Sequence, residues 1–224
     1  MTAEEMIQRH HLLAVLRPDE VRALLAHAHI RNYGPGETVF LKDEPGDGLY
    51  GVLGGRVVVK VESEGGKELI LNMFGPGDFF GEIALLDGKG RTASAVARER
   101  SELLFLARRD FLPFVEQRPQ IAIRMITLLC ERLRRTTQLF EDSAFLNVAT
   151  RLAKLLLVLA AQRSDKSTLT VSVSQSELAQ MIGVSREAVS KQLSHWRDSG
   201  VIRLGRGKVV IIRSAYFEMI VGAA

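Results

Sequence analysis

One cysteine, Cys130, is all the chain carries. No internal disulfide can form, and there is no cysteine cluster for zinc or an iron–sulfur centre. Cys130 lies in an apolar helical run, where it is expected to be a buried small hydrophobe rather than a redox sensor. Histidines are scarce too, at positions 10, 11, 27, 29 and 195. His27 and His29 stand two apart, the wrong spacing for one helical face, and no metal site is expected from any of the five. The longest apolar run, residues 155–161, falls far short of the roughly 20 residues that span a bilayer. Glu4 and Glu5 close to Met1 do not fit the basic-then-apolar layout of a signal peptide. A cytoplasmic chain with no membrane partner is expected. The carboxylates and His195 form no catalytic grouping, and Ser94 has no histidine close to it. No enzyme, catalytic residue or cofactor is expected.

The chain has 224 residues, enough for two domains. An apolar share of 46% allows real cores, and 25% charged residues argue against long disorder. Charge is unevenly spread. Residues 1–144 hold 19 basic against 21 acidic side chains, whereas residues 145–224 hold 11 against 5. A basic C-terminal third on a near-neutral body suggests that this third meets a polyanion.

From about Asn32 to Leu106, Gly/Pro clusters recur every ten residues or so, such as Gly34-Pro35-Gly36, Gly54-Gly55, Gly75-Pro76-Gly77 and Gly88-Lys89-Gly90. Short β-prone runs lie between them, Val57-Val58-Val59-Lys60-Val61 being one. This spacing reads as an antiparallel barrel or jelly roll. The preceding residues, 4–31, have helical spacing, with Pro18 suited to a first turn. Within the barrel region, Gly81-Glu82-Ile83-Ala84 and Arg91-Thr92-Ala93 flank a Gly-rich loop. Small residues let backbone approach a ligand. Arg91 can clamp a phosphate with its planar fork of donors, free N–H groups after Gly81 can add to the anion site, and Glu82 can accept from a neighbouring hydroxyl. An anionic ligand with an adjacent hydroxyl would suit that set.

Residues 119–142 read as one long helix, with Pro119 in its first turn and no Gly or further Pro to interrupt it. Ala122, Ile126, Leu129, Leu133, Thr136 and Phe140 fall on one stripe, and Ile121, Met125 and Leu128 on a second. A helix apolar on two faces packs on its own barrel and on something else; a symmetric partner helix, giving a C2 homodimer, is the simplest candidate. Thr136 and Thr137 stand out there, because hydroxyls buried on such a seam need a hydrogen-bonding partner. A purine amino group would serve.

In the C-terminal third, Ser174-Gln175-Ser176-Glu177 is a capping box that opens a helix. Gly183 supplies a tight turn, and Ser185 caps a second helix over residues 185–199. In that helix Val189, Leu193 and Trp196 face inward, and Arg186, Glu187, Ser190, Lys191 and Ser194 face out. Residues 201–212 then read as strand–turn–strand with basic residues at the tip. This is a winged helix-turn-helix whose second helix reads the major groove. Arg186 can take a guanine edge, Glu187 can accept from a cytosine amino group, and Lys191 can reach a guanine or a phosphate. Gln175, with Arg206 and Lys208 on the wing, is suited to positioning the DNA backbone.

The stretch from Gly81 to Ala95 resembles the phosphate-binding cassette of cyclic-nucleotide-binding domains. Arg132-Leu133-Arg134-Arg135-Thr136-Thr137, Ala144-Phe145-Leu146-Asn147-Val148-Ala149 and Ile182-Gly183-Val184-Ser185-Arg186-Glu187-Ala188-Val189 resemble the dimer helix, hinge and recognition helix of the CRP/FNR superfamily, and of its catabolite activator group in particular. Gln175 and Lys191 stand where relatives carry arginine, in some and in many of them respectively. The resemblance runs from about residue 32 to 212. It implies an α+β chain: a cyclic-nucleotide-binding jelly-roll domain with N-terminal helices (1–118), a long dimerisation helix and hinge (119–143), and a winged helix-turn-helix (144–224). It implies a homodimeric transcription regulator controlled by a cyclic nucleotide, cyclic AMP foremost. The ligand would bind Gly81, Glu82, Ile83, Ala84, Arg91, Thr92, Thr136 and Thr137, with Val59 and Leu71 walling the base. Gln175, Arg186, Glu187, Ser190 and Lys191 would meet a pseudo-palindromic operator, and the polar loop 162–168 would meet RNA polymerase. Cyclic GMP, a cyclic dinucleotide and ligand-free DNA binding stay open, as does a regulatory subunit that binds the nucleotide but no DNA.

Overall fold

Glycine-rich turns cut residues 28–107 into eight strands: β1 (Ala28–Tyr33), β2 (Thr38–Phe40), β3 (Gly48–Gly54), β4 (Val57–Glu62), β5 (Glu68–Phe74), β6 (Phe79–Phe80), β7 (Ser94–Ala97) and β8 (Ser101–Ala107). They form two four-stranded sheets of order β1-β8-β3-β6 and β2-β7-β4-β5. The pairs β1–β8, β3–β8, β3–β6, β2–β7 and β4–β7 are antiparallel, which gives the jelly roll anticipated from the turn spacing. The structure, a computed structural model, describes residues 2–9, 13–14, 16–161 and 169–222. The loop 162–168 anticipated as a polymerase contact lies outside the described residues, as do His10 and His11.

The chain divides into two compact units, Met1–Glu62 with Leu71–Arg134, and Ser63–Ile70 with Arg135–Ala224. In the first, β3 is buried on both faces. Successive side chains point to opposite sides of a strand, so Leu49 and Leu53 enter a core shared with helices, while Tyr50 and Val52 enter a second core between the sheets. Phe40, Phe74, Phe80 and Phe105 complete that second core with Tyr50; the Tyr50 and Phe80 rings stack at 5.4 Å. The helices are α1 (Ala3–Arg9), α2 (Pro18–Leu25), the cassette helix α3 (Glu82–Asp87), α4 (Arg108–Glu116) and the start of α5 (Pro119–Phe145). Helical structure before the barrel ends earlier than expected. Residues 28–31 belong to β1 and pair with residues 103–106 of β8. Side-chain spacing favours a helix there, but ladder pairing with β8 overrides it.

Helix α5 has 27 residues, a length of about 40 Å at 1.5 Å per residue. Ile121, Met125 and Leu128 are buried in the first unit's core. Anchoring through these three leaves most of the other stripe outward, with Ile123 rather than Ala122 at its start. Ala122 packs against that core, whereas Ile123 (64% exposed), Ile126 (59%), Leu133 (67%) and Phe140 (74%) lie open. Cys130 is exposed on the same face, which corrects the expectation of a buried thiol. The run 123, 126, 130, 133, 137, 140 alternates steps of three and four, the seam pattern of a helix that pairs with another.

The second unit contains α6 (Val148–Ala161), β9 (Thr170–Val171), α7 (Gln175–Ile182), α8 (Arg186–Asp198), β10 (Ile202–Gly205), β11 (Lys208–Ile211) and α9 (Ser214–Gly222). Asn147 opens α6: its side-chain oxygen accepts from the Thr150 N–H at 3.0 Å. The end of α5 is tied to α6 through buried Asp142, which accepts from Lys154 Nζ at 2.8 Å and from Gln138 Nε2 at 2.9 Å. Fully buried Trp196 meets Phe217 edge to face at 4.8 Å in this unit's core. Gln180 Nε2 donates to Glu68 Oε2 at 2.7 Å. Among the described residues, no helix is long and apolar enough to cross a membrane.

Candidate functional site

The cassette is built where β6 ends. Gly81 caps α3 at φ +83°, a left-handed conformation that a residue with a side chain adopts only under strain. A Cβ there would also lie 2.6 Å from Arg91 Nη1. Glycine is therefore required twice, for the turn and for the approach of the guanidinium. Arg91 is 2% exposed. Its Nη1 donates to the Gly81 carbonyl at 2.8 Å, and its Nη2 donates to the Gly48 carbonyl at 2.9 Å and to Asp47 Oδ1 at 3.0 Å. The guanidinium lies 4.2 Å from the Phe40 ring centroid, where the face of the ring favours a cation. Its Nε is buried with no hydrogen-bond partner among the described residues.

Glu82, the first residue of α3, is 1% exposed. Its Oε2 is ion-paired with Arg132 Nη1 of α5, and its Oε1 is buried without a hydrogen-bond partner among the described residues. Arg132 also donates to the Phe79 carbonyl and lies 5.2 Å from the Phe74 ring centroid. Ala84 is buried beneath Gly46, where a Cβ would come within 2.2 Å of the Ala84 Cβ. Below the cassette, burial pushes the Tyr50 hydroxyl up to about 12, with Tyr33 adding to the shift. That hydroxyl stays a neutral group, and it accepts from Arg31 Nη1 at 2.9 Å.

Gly81, Glu82, Ala84 and Arg91 thus lie in one cassette that carries two ion pairs, Arg91–Asp47 and Glu82–Arg132. Ile83 (40% exposed) and Thr92 sit at the surface of the same unit. Val59 packs against the aromatic core, and Leu71 is 37% exposed. Thr136 and Thr137 are exposed on α5 and belong to the second unit. Sequence reasoning missed two members. Asp47 lies in a turn more than 40 residues from Arg91, where no local pattern signals their meeting. Arg132 falls within the helix string that resembled the family, yet its charge gave no sign of pointing at the cassette.

The second group of residues lies on the winged helix. The Ser174 hydroxyl accepts from the Glu177 N–H at 3.2 Å while Glu177 Oε2 accepts from the Ser174 N–H at 2.9 Å, so α7 starts on the capping box read from the sequence. Gly183 at φ +67° makes the turn, and the Ser185 hydroxyl accepts from the Ala188 N–H to cap α8 at 3.2 Å. Val189, Leu193 and Trp196 are fully buried. With that face anchored, Arg186, Glu187, Ser190, Lys191 and Ser194 line one shallow hollow on the opposite side. Gln175 is the first residue of α7 and half-buried. Glu187 is held below the usual carboxylate range by its own backbone N–H and then by the Ser185 hydroxyl. Arg206 and Lys208 stand exposed at the turn of the β10–β11 wing. Among the described residues, no group of three or more His, Cys, Asp or Glu could hold a metal ion.

Comparison with known proteins covers the segments that carry both groups. Residues 30–118 match the cyclic nucleotide-binding domain family, and residues 150–218 the Crp-like helix-turn-helix domain family. The chain is similar to the CRP-like cAMP-activated global transcriptional regulator of Mycobacterium tuberculosis, at 34% identity over 93% of this chain and 95% of that protein. It is also similar to the cyclic AMP receptor protein of Thermus thermophilus, at 37% identity over 92% and 94%. Among solved structures it superposes on the c-di-GMP-responsive global regulator CLP of Xanthomonas campestris with a TM-score of 0.78, at 28% identity over 87% of this chain and 99% of that one. A nucleotide-binding jelly roll, a long helix and a winged helix-turn-helix in this order, with relatives above 30% identity along nearly the whole length, place the chain in the CRP/FNR superfamily of DNA-binding transcription regulators.

Proposed function

We propose that the chain is a cyclic-AMP-controlled regulator that binds a pseudo-palindromic operator as a homodimer in the cytoplasm. One observation carries this reading. Arg91 Nε and Glu82 Oε1, of opposite charge, are both buried in one cassette with hydrogen-bonding capacity unused among the described residues. Buried polar atoms rarely stay unpaired, and a cyclic phosphodiester beside a ribose hydroxyl supplies what each needs. The phosphate accepts from Arg91, and the 2′-hydroxyl donates to Glu82. Backbone at Gly81 and Ala84 lets the sugar-phosphate approach, while Ile83 and Thr92 border it. Thr136 follows Arg132 by one helical turn and so shares its face of α5; with Thr137 it would meet the amino group of the base, which favours adenine. Relatives named for cyclic AMP support the choice of nucleotide.

The exposed seam of Ile123, Ile126, Leu133 and Phe140 supports pairing of α5 with a second copy. Two recognition helices would then address half-sites about 34–36 Å apart, one turn of duplex. Arg186, Glu187, Ser190 and Lys191 would read bases, and Gln175 would hold the backbone. Nucleotide can change DNA affinity only by binding two arrangements of the dimer unequally.

Calorimetric titration with cyclic AMP, cyclic GMP, cyclic di-GMP and linear AMP tests the ligand. The expected result is saturable binding of cyclic AMP, weaker binding of cyclic GMP and none of linear AMP. A preference for cyclic di-GMP would overturn the assignment; the relative described as responsive to that nucleotide makes this the arm to include.

A further inference from the structure

Helix α3 has six residues, less than two turns at 3.6 residues per turn, and a helix that short does not hold together without outside partners. Its last carbonyls find no donor within the helix. Two of them are satisfied from elsewhere. The Gly88 N–H donates to the Ala84 carbonyl at 3.0 Å, and Arg108 Nε donates to the Leu85 carbonyl at 2.7 Å. Arg108 is the first residue of α4, where a backbone N–H likewise has no acceptor inside its helix. That N–H donates to the Asp47 carbonyl at 2.8 Å. One residue thus completes the end of α3 and the start of α4, and its cation stands at a helix end that favours positive charge.

Both bonds lead to Arg91. On one side, the Leu85 N–H donates to the Gly81 carbonyl at 3.4 Å, and that carbonyl also accepts from Arg91 Nη1 at 2.8 Å. On the other, Asp47 Oδ1 accepts from Arg91 Nη2 at 3.0 Å. Arg108, Leu85, Gly81, Arg91 and Asp47 therefore close a ring of hydrogen bonds. The Leu85 side chain is fully buried, in the same core as Phe111 and Val115 of α4. Its packing fixes how deep α3 sits, and the bond from Arg108 to its carbonyl fixes how the helix is turned. Glu82 stands three residues before Leu85 on that helix, so a change in the turn moves the Glu82 carboxylate and the Gly81 carbonyl together.

We infer that Arg108 is a positioning residue of the cassette: by closing this ring it holds the Gly81–Leu85 turn so that Arg91 and Glu82 meet the same ligand, and it thereby raises nucleotide affinity. The role rests on the nucleotide reading of the cassette and goes beyond it by naming a residue outside the cassette on which the site depends. Arg108 acts through Leu85 and Asp47, not on the ligand itself.

The test uses the full-length chain and the Arg108→Met and Arg108→Lys variants, titrated with cyclic AMP by calorimetry under conditions where urea denaturation shows each to be folded. Arg108 is half-buried and lies outside the apolar cores, so neither replacement opens a core cavity. Methionine keeps the apolar stem without a donor; lysine keeps the charge and one donor for the Leu85 carbonyl. Arg108→Met is expected to bind roughly tenfold more weakly than wild type, and Arg108→Lys to recover most of that loss. In the free protein, the nitrogen–proton correlation signal of Arg91 Nε, identified by its absence in Arg91→Lys, should move in Arg108→Met and return toward the wild-type position in Arg108→Lys. A merely structural role would lower the urea midpoint while leaving affinity and the Arg91 signal as in wild type. Affinity of Arg108→Met within about twofold of wild type, or an unmoved Arg91 signal, overturns the positioning role and leaves the nucleotide reading standing. Failure of wild type to bind cyclic AMP, cyclic GMP or cyclic di-GMP overturns both.

Discussion

Glu82 and Arg132 form an ion pair that joins the cassette helix α3 to the long helix α5, with the carboxylate 1% and the guanidinium 24% exposed at their side chains. The pair gives the cassette a mechanical link to the exposed apolar seam of α5, since Leu133 follows Arg132 directly and is exposed there. Removing one partner of a buried pair leaves an uncompensated charge. Arg132→Ala is expected to lower stability by about 3–5 kcal/mol, and Arg132→Ala combined with Glu82→Gln should regain a good part of it. Urea denaturation of both variants checks this; equal losses in the single and double variants would show that the pair is not what α5 contributes.

In the proposed site Arg91 would hold the phosphate through a planar fork of donors, so charge alone should not replace it. Arg91→Lys is expected to weaken cyclic nucleotide binding by at least about tenfold, roughly 1.4 kcal/mol. Titration calorimetry measures the loss, with near-ultraviolet circular dichroism to check that the aromatic core around Phe40 and Tyr50 is retained. Lysine binding as tightly as arginine would remove the fork from the account.

At the recognition helix, Arg186→Ala should cost about 1–3 kcal/mol and relax preference at one base pair of each half-site. Lys191→Ala, if Lys191 contacts phosphate, should weaken binding evenly across sequences and reduce the salt slope by about one. Competition binding with single-base operator variants separates the two. A uniform loss on Arg186→Ala would move that residue to the backbone-contacting set.

Glu187 is held below the ordinary carboxylate range by its own N–H and by Ser185. A carboxylate lowered in the folded state favours the fold above the unfolded value, and that contribution fades as pH falls through the lowered one. Glu187 therefore keeps its charge across the neutral range. Operator preference at its base pair is expected to stay constant from pH 8 to about 5. A change in preference between pH 7 and 6, read by the same competition assay, would contradict this.

The seam of α5 gives a further test. Leu133→Glu together with Phe140→Glu puts charge at two exposed apolar positions outside every core of the described residues. Sedimentation should show a monomer that keeps its fold and loses high-affinity operator binding. An unaltered dimer would place the association elsewhere.

Motifs whose members are close in sequence were legible, and those completed by folding were not. The capping box at Ser174–Glu177, the Gly183 turn and the Ser185 cap lie within a dozen residues, so their geometry follows from local chemistry. The jelly roll was readable from turn spacing, because each glycine-rich turn ends a strand whatever its partner. Strand β1 was not. Its choice between helix and ladder depends on β8, some seventy residues away. For the same reason Arg91 could be picked out and Asp47 could not. On α5 only Ala122 departs from the stripe that turns outward, its place being taken by Ile123. Two apolar stripes were visible, but which one turned outward was settled only when Ile121, Met125 and Leu128 engaged the barrel core.

The central claim is that a phosphodiester held at Arg91 governs how the second unit engages DNA. Equilibrium binding of a pseudo-palindromic duplex, titrated with and without cyclic AMP for wild type and Arg91→Lys, tests it most directly. Wild type should bind the duplex more tightly with the nucleotide, by tenfold or more if the coupling reaches about 1.4 kcal/mol, and Arg91→Lys should lose most of that gain. Equal wild-type affinity with and without any of the cyclic nucleotides would contradict it.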